Sequence, residues 1–140
     1  MGLFSSKQPP ESFPVEKSDA EWQRQLAPEQ YRVLREHGTE RPGSSPLNHE
    51  HRPGTFRCAG CGTPVFRSSE KFESGSGWPS FFAPLEEAVA TTEDTSHGMR
   101  RVEVHCAKCG GHLGHVFEDG PRPTGLRYCM NGAALDFKPE

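Results

Sequence analysis

The chain has 140 residues with a formal net charge of −3, and it draws only 24 residues from Leu, Val and Phe, with no isoleucine. That is one domain's length with a thin aliphatic core, so another staple is expected. With 16 Lys and Arg against 19 Asp and Glu and no basic run longer than Arg100-Arg101, a nucleic-acid footprint is excluded. No apolar stretch approaches the roughly 20 residues of a membrane span, so a soluble cytoplasmic protein and a monomer are expected.

Met1-Gly2-Leu3-Phe4-Ser5-Ser6 fits a short N-myristoylation template, which would acylate Gly2 in a eukaryotic source. Otherwise residues 1–17 read as a flexible tail ahead of a single domain over residues 18–140. Ser18 and Glu21 form a capping box, and Trp22 and Leu26 recur at helical spacing, predicting a helix over Asp19 to Leu26. Pro28 opens a second helix in which Tyr31 and Leu34 share a face and Gly38 is the terminator. Residues 38–54 lack periodicity and read as a surface loop.

Beyond Thr55, short runs alternate with turn residues. Phe56–Cys58, Val65-Phe66, Val89–Thr91, Arg101–His105, Leu113–Phe117, Leu126–Met130 and Leu135–Phe137 read as strands. Arg101-Val102-Glu103-Val104-His105 alternates as a strand with one wet face would. The expected fold is mainly β: two antiparallel sheets in a sandwich or open barrel, with a short N-terminal helical hairpin.

Five cysteines, an odd number, divide unevenly. Cys58-Ala59-Gly60-Cys61-Gly62 and Cys106-Ala107-Lys108-Cys109-Gly110 are matching turns with 44 residues between Cys61 and Cys106. Each sets two thiols on one tight turn, followed by a glycine that can take the positive φ the turn demands. Together Cys58, Cys61, Cys106 and Cys109 supply a tetrahedral thiolate set suited to one structural Zn²⁺, whose binding energy offsets the thin core. Two other readings remain: redox dithiols, and a Cys106, Cys109, His112, His115 grouping that would free the first pair.

The fifth thiol, Cys129, lies in Leu126-Arg127-Tyr128-Cys129-Met130-Asn131, where strand alternation puts Arg127, Cys129 and Asn131 on one face. A guanidinium one pleat away favours the thiolate, the nucleophilic form. Gly75-Ser76-Gly77-Trp78-Pro79-Ser80 places an indole in a glycine-lined turn, suited to an apolar pocket wall. His112-Leu113-Gly114-His115-Val116-Phe117-Glu118-Asp119 adds two imidazoles and two carboxylates, the ingredients of a proton donor beside a nucleophile.

Gly38-Thr39-Glu40, Lys71–Gly75, Gly77–Phe81, both Cys-x-x-Cys turns, His112–Phe117 with Asp119-Gly120-Pro121, and Arg127–Asn131 together resemble the B-type methionine sulfoxide reductases, MsrB, from about Ser18 to Phe137. The resemblance implies reduction of methionine-R-sulfoxide in proteins or peptides, serving their repair. It implies Cys129 as nucleophile, His115 and His112 as the acid–base pair, and Trp78 with Phe117 as the substrate wall. Arg127 would favour the thiolate, Asp119 and Asn131 would orient the site, and zinc would be bound as in many members. Many members carry a resolving cysteine two residues before the tryptophan, where this chain has Ser76. A one-cysteine cycle follows, in which an external thiol, thioredoxin or glutathione with glutaredoxin, reduces the sulfenic acid on Cys129. Gly132, Asp136 and Gly43 also depart from the common pattern, where Ser, a basic residue and Phe are usual. The competing readings are a zinc-ribbon interaction module without catalysis and a Cys-x-x-Cys thiol–disulfide oxidoreductase.

Overall fold

The computed structural model describes residues 13–140; the Gly2 acylation pattern lies outside the described residues. Within the stretch expected as a tail, Val15 N–H donates to the Lys108 carbonyl at 2.8 Å, and Val15 packs on the core.

Helix α1 spans Asp19–Gln25 and α2 spans Pro28–Glu36. Ser18 closes the expected capping box, its hydroxyl accepting from Glu21 N–H at 3.2 Å while its own N–H donates to the Glu21 carboxylate at 2.9 Å. The second helix ends differently from the sequence expectation. His37, not Gly38, takes the left-handed cap position at φ 56°. Gly38 is small for another reason: a Cβ there would press on the Arg32 carbonyl and side chain.

Nine strands follow: β1 (Gly54–Cys58), β2 (Pro64–Arg67), β3 (Lys71–Phe72), β4 (Ser80–Phe81), β5 (Val89–Asp94), β6 (Arg101–Cys106), β7 (His112–Phe117), β8 (Arg127–Met130) and β9 (Leu135–Pro139). They form two antiparallel sheets, ordered β9-β1-β2 and β3-β4-β8-β7-β6-β5. All seven expected strands are present. Strands β3 and β4, two residues each, have no period to reveal them. Among the described residues no helix is long and apolar enough to cross a membrane.

The sheets meet through aromatic rings. Phe66 of β2 stacks on Phe81 of β4 at 4.3 Å, and Phe56 of β1 meets Phe81 edge-on at 5.0 Å. All three are fully buried, with Val65, Val104, Leu113 and Met130 filling around them. On the wider sheet, His115 of β7 lies directly opposite Cys129 of β8, which in turn faces Ser80 of β4. That register sets the surroundings of Cys129.

Candidate active site and metal centre

The two Cys-x-x-Cys turns are built alike. In each, the first cysteine's carbonyl accepts from the glycine N–H after the second cysteine, at 2.8 Å for Gly62 and 2.9 Å for Gly110. Both glycines are left-handed, at φ 81° and 76°, as their turns require. The first turn closes the β1–β2 hairpin and the second joins β6 to β7. Across the turns, Cys58 Sγ lies 3.7 Å from Cys109 Sγ and Cys61 Sγ lies 3.6 Å from Cys106 Sγ, with all four sulfurs within 4.8 Å of one another. A tetrahedral ion with bonds of about 2.3 Å to sulfur spaces its ligands about 3.8 Å apart, so the donor set suits Zn²⁺. A disulfide would bring two sulfurs to about 2.05 Å. His112 is not part of this cluster; it sits with His37 and Glu103.

The helices cover this centre. Gln25 Nε2 donates to the Gly60 carbonyl at 2.6 Å and Arg35 Nη1 to the Cys109 carbonyl at 2.9 Å. Buried Leu34 approaches both Gly60 and Gly111.

A cavity of about 260 Å³ is lined by Trp78, His115, Phe117, Arg127, Cys129 and Asn131, joined by Thr39, Ser76, Arg101 and Gly114. Six of the sequence-identified residues thus share one concavity. His112 and Asp119 do not line it. The His112 ring lies behind His115, edge-on at 5.4 Å, and Asp119 sits outside, gripping Arg127 through contacts of 2.9 and 3.2 Å. A larger concavity of about 790 Å³ elsewhere contains neither thiol nor imidazole.

Burial pushes the Cys129 thiol up from its ordinary range, while the Arg127 guanidinium and the Ser76 hydroxyl pull it down. Burial prevails, so the expectation of a resting thiolate is corrected: the guanidinium moderates the shift without reversing it. The arginine's charge is itself shared with Asp119, and its guanidinium lies over the Phe117 ring at 4.6 Å.

His115 Nε2 lies 2.8 Å from Asp94 Oδ2. Asp94 is held well below the usual carboxylate range by hydrogen bonds from Ser96 and His115. An ionised carboxylate only accepts, so Nε2 carries the proton and Nδ1 is left with a lone pair. Burial pushes His115 below its ordinary value against the pull of Asp94, which favours the neutral ring. Behind it, His112 Nδ1 lies 2.8 Å from Glu103. Burial would raise Glu103, but hydrogen bonds from His112 and His37 outweigh it and hold the carboxyl well below its usual range.

Glu40 binds the remaining wall together. Its carbonyl accepts from Trp78 Nε1 at 3.1 Å, and its N–H donates to Asn131 Oδ1 at 2.9 Å. Its buried carboxylate accepts from Gly132 and Ala133 N–H, each at 2.8 Å. Asn131 Nδ2 donates to the Leu113 carbonyl at 3.2 Å, so both ends of that amide serve the backbone. Gly77, left-handed at φ 94° and pressed against Pro42, lets the turn bring the indole in.

Sequence reasoning did not single out Glu40, Asp94, Arg101 or Glu103 as site residues. The signal for two of them was present in the alternation of β6. There Val102 is 40 % exposed, while Arg101 and Glu103 are half-buried. The polar face expected to be wet is the face turned toward the site.

The comparisons with known proteins agree with this geometry. A family model described as SelR domain matches residues 26–139. Proteins named peptide methionine sulfoxide reductase MsrB match along nearly the whole chain. The Bradyrhizobium diazoefficiens protein is 60 % identical over 127 residues, 90 % of this chain and 91 % of that protein. The Agrobacterium fabrum protein is 57 % identical over 126 residues, 89 % of this chain and 93 % of that one. The Methanosarcina barkeri protein is 56 % identical over 127 residues, 90 % and 89 % of the two chains. With the domain match, the identities and the converging site all in agreement, this chain belongs to the MsrB family of peptide methionine sulfoxide reductases.

Proposed function

We propose that residues 18–140 form one catalytic domain that reduces methionine-R-sulfoxide in proteins or peptides to methionine, with Cys129 as the nucleophile. The observation that carries this reading is the single cavity in which Cys129, His115, Arg127 and an apolar wall of Trp78 and Phe117 meet. The wall accepts the sulfoxide's methyl group. A resting thiol beside a neutral imidazole suggests the order of proton movement: His115 Nδ1 takes the Cys129 proton, and the sulfur attacks the sulfoxide sulfur. The imidazolium then returns the proton to the departing oxygen. The protonated oxygen passes to the cysteine sulfur as the transient sulfur–sulfur bond breaks, so methionine leaves with its sulfur two electrons richer and Cys129 carries the hydroxyl as a sulfenic acid. Arg127, with Asp119 behind it, steadies negative charge on the cysteine sulfur. His112 and Asn131 position the reacting wall.

Among the described residues, all four other thiols lie in the Cys58, Cys61, Cys106, Cys109 cluster, and Ser76 stands beside Cys129. The cycle therefore closes with an external thiol, thioredoxin or glutathione with glutaredoxin. That thiol condenses with the sulfenic acid, releasing water, and a second thiol resolves the mixed disulfide. Such chemistry suits a reducing cytoplasm and a role in repairing oxidised proteins. One Zn²⁺ on the four cysteines serves structure, with no contact to substrate.

The test is Cys129→Ser. It abolishes methionine formation from an R-sulfoxide with dithiothreitol while zinc content and melting temperature stay at parental values; persistent turnover refutes the assignment. Mass spectrometry after one turnover without reductant finds a trappable sulfenic acid. An intramolecular disulfide there overturns the one-cysteine cycle.

A further inference from the structure

Outside the Cys129 cavity, His37, Glu103 and His112 converge from three elements: the cap of α2 and the paired strands β6 and β7. One carboxylate oxygen, Glu103 Oε2, lies 2.8 Å from His112 Nδ1 and 3.2 Å from His37 Nε2. One ligand atom from each residue can be chosen so that all three lie within 4.8 Å of one another. The two rings stand 5.3 Å apart at a tilt of 39°. His37 reaches this position from a left-handed backbone at φ 56°, a conformation that favours glycine.

Two imidazoles and a carboxylate are the donor set of open sites for divalent transition ions. Bonds of about 2.0–2.2 Å at a tetrahedral ion place ligand atoms about 3.3–3.6 Å apart. The His37 contact needs to open by about 0.1–0.4 Å, which that 68 % exposed side chain is free to do, and the more buried His112 contact by about 0.5–0.8 Å. Solvent on the His37 side can fill the remaining positions. We propose that His37, Glu103 and His112 form a second binding site for an imidazole-preferring divalent ion such as Ni²⁺ or Zn²⁺, separate from the four-cysteine centre. An ion there occupies His112 Nδ1, and His112 backs His115 edge-on at 5.4 Å. Resting on the reading of His115 as the acid–base group that His112 positions, occupancy inhibits sulfoxide reduction.

The experiment loads the four-cysteine centre with Zn²⁺ and titrates the protein with Ni²⁺ by equilibrium dialysis with metal counting. In parallel, single-turnover methionine formation is followed with no added thiol to chelate the ion. One Ni²⁺ per chain is expected, with inhibition tracking occupancy. His37→Asn tolerates the left-handed backbone but lacks the imidazole; it weakens Ni²⁺ binding by about tenfold or more, leaving zinc content and nickel-free turnover unchanged. His49 and His51 also flank a carboxylate, Glu73, at 4.0 and 3.6 Å. A His49→Ala, His51→Ala double variant binds nickel as the parent does. Absence of a nickel equivalent, its survival in His37→Asn, or its loss in the double variant overturns the site. Binding that depends on His37 but leaves turnover untouched upholds the site and overturns its inhibitory role, with Cys129→Ser still judging the reductase reading separately.

Discussion

Cys61→Ser isolates what the four-cysteine centre contributes. Cys61 is half-buried, whereas Cys58, Cys106 and Cys109 are fully buried, so an isosteric serine there disturbs packing little and the loss reports the metal. Structural zinc binds with an apparent energy of about 10–16 kcal/mol, or about 2.5–4 kcal/mol for each of four equivalent thiolates. That is a large fraction of the roughly 5–15 kcal/mol that holds a typical domain folded. For a chain of this length each kcal/mol moves the melting temperature by about 3–5 °C, so the variant is expected to melt about 8–20 °C below the parent. The helices should loosen first, since Leu34 rests on Gly60 and Gly111 of the two turns and Gln25 and Arg35 bond to their carbonyls. The assay is elemental analysis for zinc alongside circular-dichroism melting, with and without a chelator. A parent that loses its metal to the chelator yet melts unchanged would refute the reasoning.

Glu40→Gln replaces one of two accepting oxygens with a donor, leaving either Gly132 or Ala133 N–H unpaired in a buried place. The expected cost is about 1–3 kcal/mol in a thermal or urea melt, with a loss of about ten- to a hundredfold in kcat/KM as Asn131 and Trp78 shift. Unchanged kinetics would show that Glu40 does not hold the wall in place. Because burial raises the Cys129 pKa, single-turnover reduction should keep rising with pH beyond the ordinary thiol range. Arg127→Met removes a pull toward the thiolate, so its limb moves to still higher pH; a limb that stays or moves lower contradicts the balance of forces.

The fold was legible where a residue's local duty matches its packing. The capping box at Ser18 and Glu21, the proline opening α2, and the paired Cys-x-x-Cys-Gly turns each carry their structure in a few adjacent residues. Strands β3 and β4 were not legible, because two residues contain no period and their pairing depends on Ser80 meeting Cys129 some 49 positions away. The α2 cap misled for a related reason. Glycine is the cheaper left-handed residue, but contacts from Glu103 and His112 hold His37 there instead. In the site, Trp78, His115, Phe117, Arg127, Cys129 and Asn131 announce themselves by type and spacing, whereas Arg101, which also lines the cavity, does not. Those behind them, Glu40, Asp94 and Glu103, are ordinary acids in sequence, and only tertiary pairing with Gly132, His115 and His112 gives them a role. The ionisation of Cys129 was misjudged similarly: the strand pattern reveals the neighbouring guanidinium, but not the depth of burial that outweighs it.

The four-cysteine cluster and Cys129 lie apart yet are joined through register. Cys58 ends β1 on the narrower sheet and Cys106 ends β6 on the wider one, so an ion held by all four sulfurs ties the sheets together at their hairpin turns. The second turn also fixes how β6 meets β7, where the pairing shifts between Val104 and His105. Moving a strand by one residue sends every side chain to the opposite face. A slip of β7 would carry His115 away from Asp94 and from its place opposite Cys129. A chain poor in aliphatic residues has little hydrophobic patterning with which to enforce that register. Four cysteines converging on one point can enforce it geometrically when they share an ion, so on the proposed reading the two turns determine whether Cys129 faces His115.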